Sequence, residues 1–466
     1  MTPTLISNES LQAKIKEFFK RQPDQEKAQQ EAEVFEELYS SFLKDQHYID
    51  WNSWKFIKEQ HQIFLKDLPE VDKERVNILN KLAVIKLNGG LGTTMGCTKA
   101  KSLIEVREGY TFMDLAVLEH EKMCETLGVN TPLYLMNSFY TNDDTKTFLS
   151  DRGYSNVRTF MQSRCPRLDA QTKLPIEDDT QDWGDDAWCP PGHGNIFQSL
   201  KNSGVLDQMI AEGREIIFVS NIDNTGANTN LQIVQLMLDK HLDYIMECTP
   251  KTQVDIKGGT LIEINGQMMH LEMPQVPPEN LQDFCSTKVF KIFNTNNIWV
   301  NLNAVKTLLP NIKSEIIVNE KKVRGRNVLQ LEFSIGGCIK NFKNALCVHV
   351  ERNRFRPVKN LGDLLSLRST LCFLDDSTFR VHHNHAMGVP PLIRLDPSVY
   401  KSVEEVNKRF PHQLIMNNCS EFNVIGDVTF GKGVELIGKV TVQSRIDGPG
   451  KVPDASVLKD TEFFAN

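Results

Sequence analysis

The chain has 466 residues, 40% hydrophobic and 24% charged, with 27 glycines and 20 prolines. That is length for about three structural units, and the composition excludes fibrous, low-complexity and mainly disordered chains. Lys and Arg number 53 against 60 Asp and Glu, a net charge of −7 that excludes a global pull toward nucleic acid or anionic lipid, so an anionic ligand must be met by a local site. No apolar run approaches the roughly 20 residues of a membrane span, and residues 1–8 lack a basic region followed by an apolar core. The ten cysteines never fall closer than nine residues apart. The expectations are a cytoplasmic address, reduced thiols, and neither structural zinc nor a disulfide framework.

Along residues 10–43, Leu11, Ile15, Phe18, Val34, Phe35, Leu38, Tyr39 and Phe42 recur at three- and four-residue spacing, which predicts amphipathic helices docked on a larger body. Residues 50–75 hold Trp51, Trp54, Phe56, Phe64 and Pro69 among charges and read as a connector packed on a main domain that begins near Leu79. Predicted strands 82–87, 132–136, 157–161, 215–220 and 244–249 alternate with predicted helices 112–127, closed by Gly128, and 195–208. This βαβ rhythm predicts an α/β fold with a mostly parallel sheet, helices on both faces, and chemistry in the loops at the strands' carboxyl ends. In the last fifty residues Phe422, Val428, Val434, Val440, Ile446, Val452 and Leu458 fall six apart, and Val424, Phe430, Leu436 and Val442 form a second series offset by two. Such hexads predict a short parallel β-helix. The expected divisions are residues 1–78, helical region and connector; 79–365, main domain; and 366–466, a C-terminal domain with the hexads at about 422–458.

The strand 82–87 runs straight into Asn88-Gly-Gly-Leu-Gly-Thr-Thr-Met-Gly96, whose glycines would let backbone amides approach phosphates or a flat base. The spacing is one residue too long for the dinucleotide fingerprint, and no Gly-Lys-Ser/Thr closes a P-loop, so nucleotide binding and a plain turn both stay open. Lys99 and Lys101 follow; if the loop is strand-like they share a side and could face one polyphosphate, the alternative being two solvated surface lysines. Asp223, in Asn221-Ile-Asp-Asn224, falls at the end of the strand 215–220, where one carboxylate suits a Mg²⁺ shared with phosphate oxygens, or simply an Asx turn. Pro190-Pro-Gly-His-Gly194 precedes a helical run and could turn its amides toward an anion. Arg354-Phe-Arg-Pro-Val-Lys359 is a basic stretch whose plain reading is a surface face. His382-His-Asn-His385 lacks the spacing of a metal shell.

Eight ordered motifs carry a resemblance. They are Lys86-Leu-Asn-Gly-Gly-Leu-Gly-Thr-Thr-Met-Gly-Cys97, Met136-Asn-Ser-Phe139, Gln162-Ser-Arg164, Trp188-Cys-Pro-Pro-Gly-His-Gly194, Phe218-Val-Ser-Asn-Ile-Asp-Asn224, Asp255-Ile-Lys-Gly-Gly-Thr-Leu261, Phe290-Lys-Ile-Phe-Asn-Thr-Asn-Asn297 and Arg354-Phe-Arg-Pro-Val-Lys359. Together they resemble the eukaryotic UDP-glucose pyrophosphorylase family, from about residue 50 to the end. The resemblance implies a nucleotidyltransferase core with a Rossmann-like, mixed but mostly parallel sheet, and a C-terminal left-handed β-helix through which copies could associate. It implies Mg²⁺, and UTP, glucose 1-phosphate, UDP-glucose and pyrophosphate as substrates and products, without nucleic acid or membrane. Backbone groups of Leu87, Asn88, Gly89 and Gly90 would hold uracil and ribose, with Gln162 and Gly192 at the base. Asn221, Ile222 and Asp223 would meet the nucleotide, Asp223 also carrying the metal. Lys101 would clasp the triphosphate and Lys359 would be the catalytic lysine. His193, Glu272, Phe293, Asn294 and Asn296 would face the sugar.

A glucose 1-phosphate oxygen is already anionic at pH 7, so the implied reaction needs alignment and charge cancellation rather than a general base. One departure stands out: Lys99-Ala-Lys-Ser102 replaces the family's usual Gly-Pro-Lys-Ser. It leaves open a catalytically impaired paralogue that binds sugar nucleotides or serves as a structural partner, and, separately, an enzyme of broader sugar specificity.

Overall fold

Strands Leu82–Asn88, Leu133–Asn137 and Ile216–Asn221 are apolar on almost every residue, so each can be stable only with both faces covered. In a computed structural model, which describes residues 8–44, 48–177, 182–252, 255–384, 390–445 and 448–465, they lie at the centre of an eight-stranded sheet. Across the sheet the order is Gln62–Phe64, Ala345–His349, Tyr244–Pro250, Ile292–Asn301, Ile216–Asn221, Leu82–Asn88, Leu133–Asn137 and Val157–Met161. Only Ile292–Asn301 runs antiparallel to its neighbours; the other pairings are parallel. Alternate residues feed two cores. Ala83, Ile85, Ile217 and Val219 join one face, and Leu82, Val84, Ile216 and Phe218 the other.

The helix Phe112–Leu127 ends, as its sequence predicts, at Gly128 with φ +64°, and it begins at a capping box of Thr111 and Asp114. The predicted helix 195–208 is in fact two, Ile196–Asn202 and Val205–Ala211, broken at Gly204, whose φ of +74° no right-handed helix accommodates. The connector does more than pack on the main domain. Trp54 and Lys55 pair with Ile264 and Glu263, and Gln62–Phe64 is an edge strand of the main sheet.

Two N-terminal helices, Asn8–Lys20 and Gln25–Leu43, bury Leu11, Ile15, Phe18, Phe35 and Leu38 against Trp188, Leu329, Leu331 and Phe333. Arg164 locks them beside the main domain: its Nε donates to the buried Glu31 at 2.6 Å, and its guanidinium lies 4.0 Å from the Trp188 ring centroid.

At the C-terminus Leu392–Leu395, Ile415–Ile425, Glu435–Ser444 and Val457–Ala465 form one parallel ladder, with a second made by Val428–Phe430 and Gly450–Val452. Every described hexad residue is buried; Ile446 lies outside the described residues. Their core continues into Met95, Ile104, Phe112, Val358 and Leu361 of the preceding region, and Gly96 packs directly against Lys401 and Ser402. Cys97, Cys124, Cys165, Cys189, Cys248, Cys285, Cys338, Cys347 and Cys372 carry thiols outside any disulfide.

Candidate active site

The glycine loop leaves the central strand at Asn88, whose buried amide donates to Asn137 Oδ1 (2.8 Å) and Thr145 Oγ1 (2.9 Å). Thr141 Oγ1 donates to the Asn88 carbonyl and Ser138 Oγ to that of Gly89. The carbonyls of Asn88 and Gly89 are thus held by side chains, while farther along the loop the Met95 and Gly96 N–H groups donate to the Gly92 and Thr93 carbonyls. Gln162 lies so close that a Cβ on Gly89 would stand 2.1 Å from its Nε2, and Gln162 Oε1 is buried with no hydrogen-bond partner among the described residues. Gly192 and His193 approach along the edge of Arg326–Phe333, where Phe333 N–H donates to the Pro191 carbonyl at 2.7 Å.

Beyond the loop the backbone turns back: Lys101 N–H donates to the Gly90 carbonyl at 3.1 Å, and Leu91 and Ala100 form a bridge. Lys101 opens a short 3₁₀ turn, so the strand-like geometry that would align Lys99 with Lys101 is absent. Lys101 reaches the Asp223 carboxylate, whereas Lys99 is exposed. Ala100 has φ −52°, within the range that proline imposes, so a proline would fit this position.

The Asp223 turn follows Ile216–Asn221, parallel to Leu82–Asn88, which brings Asp223 beside the glycine loop. Beneath it, Lys86 Nζ donates to Ser220 Oγ (2.9 Å) and the Ala227 carbonyl (2.7 Å), and complete burial pushes this ammonium down to about 8. Asn224 Oδ1 accepts from Arg356 N–H at 2.8 Å, and its Nδ2 donates to the Arg354 carbonyl at 3.1 Å. The basic stretch is therefore not a surface face. Arg354 is largely covered and pairs with the buried Glu247, and Lys359 ends the stretch beside the loop, its carbonyl accepting from Thr94 Oγ1. The Lys359 ammonium lies 5.6 and 5.7 Å from the ring centroids of Phe293 and Phe355. Asp363 accepts the backbone N–H of Lys359 and Asn360; burial raises its pKa, against the pull of those bonds and of Lys359 and Lys101. Lys101, Asp223 and Lys359 thus converge at one end of the sheet.

The sugar-side candidates gather at the start of the antiparallel strand. Thr295–Asn297 bulge opposite Glu247, with Asn296 at φ +59°, and Asn296 Nδ2 thereby reaches Asn221 Oδ1 at 2.9 Å. Asn294 Nδ2 lies 3.1 Å from Nε2 of the buried His270, a residue that sequence reasoning missed, and Glu272 follows two residues later. Phe293 is buried, its ring against Gly258 and beneath Lys359. His193 Nδ1 accepts from Ile335 N–H at 3.0 Å, so the neutral ring carries its proton on Nε2. Burial, then His270, pushes His193 from 6.5 down to about 4. The unfolded chain therefore binds more protons than the native one between about pH 4 and 6.5, and stability should rise with pH across that window and fall on acidification. Urea midpoints measured from pH 7 to 4.5 should drop less steeply for His193→Gln than for the native chain; equal slopes would place the acid sensitivity elsewhere.

His382 and His383 lie on Arg380–His383, with His382 stacked on Phe373; His385 is outside the described residues. No cluster of three metal-ligating side chains occurs among the described residues. Asp223 stands as a single carboxylate at a strand end, a donor set that fits Mg²⁺, which takes most of its ligands from water and phosphate.

A family model described as UTP–glucose-1-phosphate uridylyltransferase matches residues 32–437. The chain is 45% identical over 405 residues to the UTP–glucose-1-phosphate uridylyltransferase of Pyrus pyrifolia, covering 86% of this chain and 85% of that one. It is 43% identical over 446 residues to that of Solanum tuberosum, covering 94% and 93%. Among solved structures it is similar to a UDP-glucose pyrophosphorylase mutant from Leishmania major in complex with UDP-glucose, at TM-score 0.85 and 29% identity, covering 98% of this chain and 100% of that one. A UDP-glucose phosphorylase from Trypanosoma brucei superposes at TM-score 0.86 and 30% identity, with the same coverage. Matched over most of its length by the family model and by these relatives, the chain belongs to the UTP–glucose-1-phosphate uridylyltransferase family.

Proposed function

We propose that this chain transfers the uridylyl group of UTP to glucose 1-phosphate, reversibly, forming UDP-glucose and pyrophosphate. The observation that carries the reading is the convergence of Lys101, Asp223 and Lys359 beside a glycine loop whose carbonyls are already bonded from behind. A sugar-phosphate oxygen attacks the α-phosphorus in line, forming one P–O bond as the bond to the β-phosphate oxygen breaks, so the site must align two anions and spread the charge of the leaving pyrophosphate.

Leu87, Asn88, Gly89 and Gly90 are assigned to uracil and ribose through the backbone. Gln162 Oε1, buried without a partner, is assigned to the base imide N–H, with Gly192 beside it. Asn221, Ile222 and Asp223 bracket the phosphates, where Mg²⁺ held by Asp223 would supply charge neutralisation. Lys101 clasps the triphosphate, and Lys359 meets charge developing on the transferred phosphoryl oxygens. The His193 Nε2–H, Glu272, Asn294 and Asn296 bind glucose hydroxyls, and Phe293 supports that side from beneath Lys359.

The proposal extends to a left-handed coil for the C-terminal ladders, to association of copies through that coil, and to a cytoplasmic address. Among the described residues no helix is long and apolar enough to cross a membrane. The test is pyrophosphate release from UTP and Mg²⁺ with glucose 1-phosphate, galactose 1-phosphate or N-acetylglucosamine 1-phosphate. Robust turnover, fastest with glucose 1-phosphate, is the expected result; no turnover with any of the three would overturn the assignment.

A further inference from the structure

We propose that His270 is a positioning residue for the sugar half of the site, its Nδ1–H orienting the Glu272 carboxylate to accept a hydrogen bond from a glucose hydroxyl. The inference rests on the reading of Glu272 as a sugar ligand and adds to it a residue and a hydrogen-bond direction.

A chain of donors fixes the tautomer. Asn296 N–H donates to Asn294 Oδ1 at 2.8 Å, so the other end of that amide, Nδ2, is the end that meets His270 Nε2 at 3.1 Å. An amide nitrogen can only donate, so His270 Nε2 accepts and the neutral ring carries its proton on Nδ1. The His270 side chain is fully buried, and Nδ1 forms no hydrogen bond with any described residue. The Glu272 Oε1 stands 3.5 Å from it, on a side chain still 24% exposed. The ring cannot swing away. A Cβ on Gly259 would fall 2.4 Å from Nε2, and one on Gly336 would fall 2.7 Å from Nδ1.

A buried ring N–H without a hydrogen bond carries a desolvation cost. The acceptor beside this one is the Glu272 carboxylate, 3.5 Å away on a partly exposed side chain. The relay begins at Asn296 Nδ2, bonded to Asn221 Oδ1 beside the Asp223 turn, and ends at Glu272. The nucleotide and sugar sides are thus joined by Asn221, Asn296, Asn294, His270 and Glu272, and a bond from Nδ1 that shortens in the substrate complex would complete the line.

Steady-state kinetics of His270→Leu, His270→Asn, His270→Gln and Glu272→Gln test this. In His270→Leu the KM for glucose 1-phosphate should rise about tenfold, with the KM for UTP and kcat within about twofold of native. Asparagine places an amide N–H near Nδ1 and should restore the KM to within about threefold. Glutamine places its amide near Nε2 and should behave like leucine. A native KM in His270→Leu alongside a raised one in Glu272→Gln overturns the role of His270 alone. An unchanged KM in Glu272→Gln overturns the sugar reading of Glu272 and this inference with it. Should the leucine variant not fold, nitrogen NMR of ring-labelled native enzyme with UDP-glucose decides: protonation of His270 on Nδ1 supports the assignment, and protonation on Nε2 overturns it.

Discussion

Lys359→Ala should lower kcat by about 10²-fold or more while leaving the KM for UTP within a few-fold, because the lost contact is one that strengthens only as charge develops. The backbone that carries the side chain is held before any substrate arrives. Asp363 accepts its backbone N–H at 2.7 Å, Thr94 donates to its carbonyl, and its ammonium lies over two aromatic rings. A cation fixed in this way needs no reorganisation at the moment of bond exchange, which is where preorganised charge gains its advantage over water. Steady-state and single-turnover rates would check the prediction; an unchanged kcat would remove Lys359 from the chemistry. Lys359→Arg should recover only part of the rate, since a planar fork does not replace a point charge.

Glu247→Ala should destabilise the chain by about 3–5 kcal/mol, the scale of leaving one partner of a buried ion pair alone. Glu247 is fully buried and accepts four hydrogen bonds: from Arg354 Nη2 (2.6 Å) and Nε (2.7 Å), Trp299 Nε1 (2.9 Å) and Asn297 Nδ2 (3.1 Å). Arg354 returns its carbonyl to Asn224 and Asn297. The same carboxylate therefore holds the bulge that aims Asn296 and, through Arg354, the turn that carries Asp223. Thermal unfolding would show a clear fall in midpoint for the alanine variant. The double variant Glu247→Met/Arg354→Met should recover much of the loss, because a matched apolar pair removes both charges together. A midpoint equal to the native one in Glu247→Ala would mean that Arg354 finds another partner.

What the sequence made legible was local. The apolar strands and the helix closed by Gly128 each announce themselves within a few residues, and the structure places them as expected; the hexads likewise mark residues that the structure buries. What it hid was non-local. Arg354 reads as a solvated cation until Glu247, 107 positions earlier, is seen against it. His270 carries no signal in the sequence, and only the fold sets Asn294 and Glu272 on either side of its ring. Lys99 and Lys101 look equivalent by spacing, and only the turn at Lys101 separates them. Gly204 is a helix breaker that helical periodicity alone passed over. The residues proposed for the nucleotide side fall in contiguous loops, whereas those proposed for the sugar side depend on pairings between strands far apart in the chain.

The C-terminal ladders share one apolar core with Met95, Ile104, Val358 and Leu361, and Gly96 rests on Lys401 and Ser402. The tail is for that reason not a detachable module. A truncation upstream of these ladders would strip the apolar backing from the very loop that presents Lys101. A minimal catalytic fragment cut at the end of the main sheet would thus emerge as an insoluble or misassembled chain rather than a smaller enzyme, and fusion partners belong after the last strand instead of in place of it.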